Sequence, residues 1–138
     1  MAIKLIRAQG EHQYALVKLL RELQIMEHLG GSRVQKEGFD TYYTGLITAF
    51  CPSDEIEDKV VDHIFLVMPL GEHTLHQVME QTVLSEAELK HIFYNLLCAV
   101  NYLHSSNIVH RDLKPQNILV DKMCAVRLCD FGLSRTLP

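Results

Sequence analysis

At 138 residues, with 48% hydrophobic and 22% charged side chains, the chain has the composition of a soluble globular protein large enough for one ordinary domain. A net charge of −4 argues against a nucleic-acid binder, which would carry a basic face. The longest apolar run, residues 64–70, is too short to span a bilayer, and no secretory leader is visible at Met1. Met1 to Ile6 alternates enough to predict a strand that sets Lys4 on the face opposite its apolar neighbours. Residues 13–29 lack Pro and Gly and predict a helix. Its stripe of Ala15, Leu19, Glu22, Met26 and Leu29 contains one acid, Glu22. A buried carboxylate is costly unless paired, and Lys4 is the evident partner. Gly30-Gly31-Ser32 ends that helix.

Residues 45–50 read as a strand, residues 51–62 as an acidic loop and residues 63–68 as a second strand. His73 and His76 begin a short helix over residues 74–80; with no third ligand nearby they read as surface histidines. Ser85-Glu86-Ala87-Glu88 is a capping box. Behind it Leu89, Ile92, Phe93, Leu96, Leu97, Val100 and Leu103 predict a long helix to about Ser105, and the whole stripe reads as core. Residues 118–120 and 126–129 form a predicted hairpin turning at Asp121-Lys122. That hairpin brings Asn117 and Asp130 to one end, where two side-chain oxygens suit a hard cation such as Mg²⁺.

The stretch His110-Arg111-Asp112-Leu113-Lys114-Pro115-Gln116-Asn117 followed by Asp130-Phe131-Gly132 resembles the eukaryotic protein kinase family, whose signature H-R-D-L-x-x-x-N and D-F-G both stand here. The form Asp-Leu-Lys-Pro-Gln-Asn resembles serine/threonine kinases. Residues 20–25, the long loop before His63 and Asp-Phe-Gly-Leu-Ser-Arg resemble the mitogen-activated protein kinases, with the cyclin-dependent kinases as the alternative branch. The resemblance implies a truncated two-lobed α+β fold. Residues 1–68 would be the upper lobe from the catalytic-lysine strand, 69–72 the hinge and 73–138 the start of the lower lobe.

The resemblance also implies ATP and Mg²⁺ as cofactors. Asp112 would take the proton of the substrate hydroxyl, Lys114 would lie near the γ-phosphate, and Asn117 and Asp130 would hold Mg²⁺. Lys4, within an Ala-Ile-Lys that resembles the end of V-A-I-K, would hold the phosphates and pair with Glu22. Met68 would stand at the gatekeeper position and Leu70 and Gly71 would supply the hinge N–H donor, because Pro69 has none. Leu119 would form the floor under the adenine. His110 and Met26 would pack toward Phe131, and a buried Arg111 would await an anionic partner.

No glycine-rich loop precedes Lys4, and the A-P-E element does not follow Pro138. The chain thus reads as part of a longer kinase, with an exposed apolar patch on the long helix when alone. Its partners would be protein substrates and an upstream activating kinase, with neither nucleic acid nor membrane. The rival is a catalytically inactive kinase-like protein that competes for kinase partners. The cysteines Cys51, Cys98, Cys124 and Cys129 form no C-x-x-C pair and read as reduced thiols of a cytoplasmic or nuclear protein, with Cys129 beside the nucleotide site.

Overall fold

The computed structural model describes residues 1–7, 12–31, 42–51 and 63–137. The expected acidic loop, from residue 52 on, lies outside the described residues. Strand β1 (Ala2–Arg7) leads to helix α1 (His12–Gly31). Strands β2 (Thr48–Phe50) and β3 (His63–Met68) complete a three-stranded antiparallel sheet in the order β1-β3-β2. Lys4 stands opposite Leu66 in that sheet. The expected alternation in β1 holds: Ile3 and Leu5, 64% and 43% exposed, lie on the face opposite Lys4, which turns inward toward α1. A buried carboxylate on α1 makes the inner face the favourable one for the ammonium.

After β3 the chain forms β4 (His73–Thr74), α2 (Leu75–Gln81) and α3 (Glu86–Ser105). Both helices start on complete capping boxes. Ser85 N–H donates to Glu88 Oε2 at 2.8 Å, and Glu88 N–H returns to Ser85 Oγ at 3.3 Å. Thr74 and Gln77 do the same for α2. Strand β5 (Ile108–Val109) follows, then a 3₁₀ turn (Pro115–Asn117), β6 (Ile118–Val120), β7 (Val126–Leu128) and β8 (Arg135–Thr136).

The β6–β7 hairpin has the expected turn. Asp121 Oδ1 accepts from the backbone N–H groups of Met123 and Ala125, both at 2.9 Å. β4 adds to β6, giving the order β4-β6-β7. Strands β5 and β8 pair with each other, a contact between residues too short in sequence to announce themselves as strands.

Two expectations are corrected. The strand expected over residues 45–50 shortens to β2, because the segment before it pairs elsewhere. Tyr43 forms a parallel bridge with Leu128, and Thr44 N–H donates to Leu128 O at 2.9 Å. The stripe on α3 is not all core. Ile92, Ala99 and Leu103 are buried, whereas Leu89, Phe93 and Leu97 are 51%, 61% and 53% exposed. Seven apolar positions cover more of the helix circumference than β5 and β7 can meet. The core itself joins Met26 and Leu29 of α1 to Leu103, Ile108, Leu128 and the fully buried Phe131.

Candidate active site

The α1–β1 contact sets up one side of the site. Lys4 Nζ donates to both carboxylate oxygens of Glu22, at 2.8 and 2.9 Å, and reaches Asp130 Oδ1 at 3.1 Å. Glu22 is 3% exposed, so its charge is taken from water and answered by the ammonium. Burial pulls the Lys4 pKa down, but hydrogen bonding and charge from Glu22, then from Asp130, outweigh it, and the net shift is upward. Lys4 is therefore a fixed cation. It carries two carboxylates that arrive from α1 and from the segment after β7, as the sequence pairing of Lys4 with Glu22 anticipates.

The other side is the loop from His110 to Asn117. Buried His110 sits at 5.1 Å from the Phe131 ring, tilted against it, and its Nε2 lies 3.0 Å from Cys129 O. Asp112 N–H donates to His110 Nδ1 at 3.3 Å. One nitrogen faces a carbonyl and the other an N–H, an arrangement that fits neutral imidazole with its proton on Nε2. Ser134, fully buried, donates from its hydroxyl to His110 O at 3.0 Å, a support that no motif pattern points to.

Lys114 Nζ and Asn117 Nδ2 both donate to Asp112 Oδ2, at 2.8 and 2.9 Å, and Asn117 Nδ2 also reaches Asp112 O at 2.9 Å. The hydrogen bond from Lys114 is the main reason the Asp112 carboxyl lies below the usual aspartate range. The same pairing raises Lys114. Arg111 and Asp130 are held at positive φ, 65° and 63°. Such strain in residues with side chains is characteristic of sites that aim a group. Arg111 departs from the expectation of a buried guanidinium: it is exposed, because the left-handed backbone turns it away from the core.

The hairpin brings the predicted oxygen donors to one mouth. Cys129 N–H donates to Asn117 O at 3.0 Å, so the hairpin closes where Asn117 precedes β6 and Asp130 follows β7. Asn117 spends its Nδ2 on Asp112, which leaves its side-chain oxygen as an acceptor, and the Asp130 carboxylate is half exposed. A hard-oxygen pair that leaves room for phosphate and water ligands fits Mg²⁺. No group of three or more His, Cys, Asp or Glu able to hold a metal occurs among the described residues.

Lys4, Lys18, Glu22, Asp112, Asp130 and Gly132 line one cleft of about 310 Å³. Met68, Leu70, Gly71 and Leu119 do not line it. Met68 ends β3 against the core, Leu70 is 68% exposed, and Gly71 packs on Leu119. A Cβ on Gly71 would lie 2.6 Å from Leu119 Cδ1, so the glycine allows the close approach. Thr74 caps α2. Cys129 stands at the site with its thiol pushed up to about 11, by burial first and then by Asp130.

The protein kinase domain model matches residues 1–138. The chain belongs to the protein kinase family. Among curated relatives, this kinase chain is 35% identical over 137 residues to mitogen-activated protein kinase 7 of Arabidopsis thaliana, covering 99% of the chain and 34% of that protein. It is 34% identical, with the same coverage, to mitogen-activated protein kinase homolog NTF3 of Nicotiana tabacum. Over 90 residues it is 40% identical to GLH-binding kinase 1 of Caenorhabditis elegans, covering 65% of the chain and 23% of that protein. The chain spans about a third of the length of the mitogen-activated relatives. Its fold is part of the two-lobed kinase architecture.

Proposed function

We propose that this chain carries the catalytic loop, phosphate-binding lysine and metal site of an ATP-dependent protein serine/threonine kinase of the mitogen-activated type. The observation that supports this most is Lys4 Nζ held between Glu22 and Asp130, facing Asp112 across one cleft. In this reading residues 1–68 are the upper lobe, 69–72 the hinge and 73–138 the start of the lower lobe. MgATP supplies the phosphoryl group and the divalent charge that offsets charge developing on its oxygens.

The chain's own residues position and polarise. Lys4 holds the α- and β-phosphates, and Glu22 holds Lys4. Asn117 and Asp130 offer oxygens to Mg²⁺. Met68, Leu70, Gly71 and Leu119 bound the adenine. Asp112 accepts a hydrogen bond from the substrate hydroxyl and would take up its proton as the new P–O bond forms and the bond from the γ-phosphorus to the leaving ADP oxygen breaks. Because Lys114 and Asn117 hold its carboxyl acidic, Asp112 is a weak base, and orientation of the hydroxyl is its larger contribution.

Protein substrates and an upstream activating kinase are the partners. Arg21, His28 and Arg135 line a cavity of about 300 Å³ between α1 and β8, which supports docking of a phosphorylated side chain there. Four cysteines with no C-x-x-C pair among them support a reducing compartment, cytoplasm or nucleus.

The test is phosphate transfer from labelled MgATP to a basic protein substrate by the full-length protein that carries this chain. Asp112→Ala is expected to lower the rate at least about 100-fold. Transfer that survives the substitution overturns the catalytic assignment. A native full-length protein with no transfer after activation favours the inactive competitor.

A further inference from the structure

Ser134 carries none of the roles assigned above, yet it is 0% exposed and its hydroxyl donates to His110 O at 3.0 Å. Its N–H donates to Phe131 O at 3.0 Å, so a tight turn over Gly132 and Leu133 sets the hydroxyl against the catalytic loop. The same two segments are joined in the other direction by His110, whose Nε2 lies 3.0 Å from Cys129 O. Each segment thus gives a side chain to the main chain of the other.

The His110 carbonyl belongs to the peptide that leads into Arg111, the residue held at φ 65°. A residue with a side chain leaves that region unless its surroundings hold it there. Two bonds bracket Arg111. The Ser134 hydroxyl holds the carbonyl before it, and Asp112 N–H, after it, donates to His110 Nδ1. Rotation of the His110–Arg111 peptide that relieved the positive φ would swing the carbonyl off Ser134. The hydroxyl therefore favours the strained form over the relaxed one, and such a difference is what shifts a population between two forms. In the strained form Asp112 Oδ2 receives Lys114 Nζ and Asn117 Nδ2 at 2.8 and 2.9 Å.

We propose that Ser134 is a positioning residue for phosphoryl transfer: its hydroxyl fixes the peptide before Arg111 and, through it, the aim of the Asp112 carboxylate. The inference rests on the catalytic role given to Asp112. Ser134 touches neither substrate nor nucleotide in this reading and acts through the main chain alone.

The test uses the full-length protein that carries this chain, unaltered and as Ser134→Ala and Ser134→Cys. At saturating MgATP, Ser134→Ala is expected to lower kcat about fivefold, the effect of one net hydrogen bond, and to leave the KM for ATP unchanged. Ser134→Cys, close in size and a weaker donor, is expected to fall between the two. Backbone amide NMR adds a readout that needs no activity. The amides of Arg111 and Asp112 are expected to shift or broaden in Ser134→Ala, while those of β1 stay in place. A merely structural role would lower the urea midpoint and leave both kcat of the folded enzyme and these amides unchanged; that result overturns the proposal. Asp112→Ala in the same assay separates the two readings. Its loss of transfer beside an unimpaired Ser134→Ala removes the positioning role alone, and an active Asp112→Ala overturns the catalytic assignment beneath it.

Discussion

Asp112 donates its backbone N–H to His110 Nδ1, so the imidazole that packs on Phe131 also holds the main chain of the proposed base. The bond requires neutral imidazole, because a protonated Nδ1 no longer accepts. Burial is the larger influence and lowers the His110 pKa, although the Cys129 carbonyl opposes it. With a folded value below the ordinary 6.5, the unfolded chain binds the proton first. Stability is then whole above about 6.5 and falls as pH drops through 6.5 toward the folded value, by no more than about 1.4 kcal/mol per pH unit. Urea midpoints at about pH 7.5 and about pH 5.5 check this. His110→Phe, which keeps an aromatic ring and cannot titrate, is expected to lose this component. A difference of equal size in the variant refutes the assignment.

The Lys4–Glu22 pair predicts an asymmetric mutant cycle. Lys4→Met leaves Glu22 buried without its cation and is expected to cost about 2 kcal/mol, below the roughly 3–5 of a fully enclosed pair because the Lys4 side chain is 35% exposed. Adding Glu22→Leu is expected to recover most of that loss. Chemical denaturation of both variants decides it, and a double variant no more stable than the single one counts against the pairing. Since the Lys4 pKa is raised, the pair's contribution is complete below 10.5 and is lost only as pH rises through the folded value.

Cys129 is expected to resist alkylation. A thiol moved from 9.0 to about 11 has roughly 100-fold less thiolate near neutral pH. Iodoacetamide followed by peptide mass spectrometry is expected to label exposed Cys51 first. Labelling of Cys129 at the rate of a small free thiol would refute this. The residue beside Asp130 is in this respect packing material.

Leu89, Phe93 and Leu97 lie on one exposed face of α3 and predict self-association of the chain by itself. Sedimentation velocity is expected to show oligomers at micromolar concentration. Phe93→Glu with Leu97→Lys is expected to reduce them without changing helix content. A native chain that is monomeric and melts cooperatively refutes the prediction.

The features that the sequence made legible are those whose chemistry is local or paired. The Ser85 box announced α3, Asp121 announced the hairpin turn, and a lone acid in an apolar stripe pointed to Lys4. Thr74-x-x-Gln77 is the same kind of signal and could have placed α2 at its observed start. What escaped was decided by neighbours distant in sequence. The strand expected over residues 45–50 starts only at Thr48, after Tyr43 and Thr44 have paired with β7, and β5 and β8 exist only through each other. Periodicity marked α3 as apolar on a broad arc but could not say how much of that arc would find a surface to meet.

The bonds of residues 42–44 to β7 have a mechanical consequence. The β1-β3-β2 sheet is joined to the β4-β6-β7 sheet covalently through residues 69–72 and again, by hydrogen bonds from Thr44 N–H to Leu128 O and from Leu128 N–H to Tyr42 O, some 25 residues earlier in the chain. A body fastened at one point can swivel in any direction. Fastened at two, it turns only about the line between them. Any movement of one sheet against the other is thereby restrained at both attachments, and again by the Lys4–Asp130 bond across the cleft.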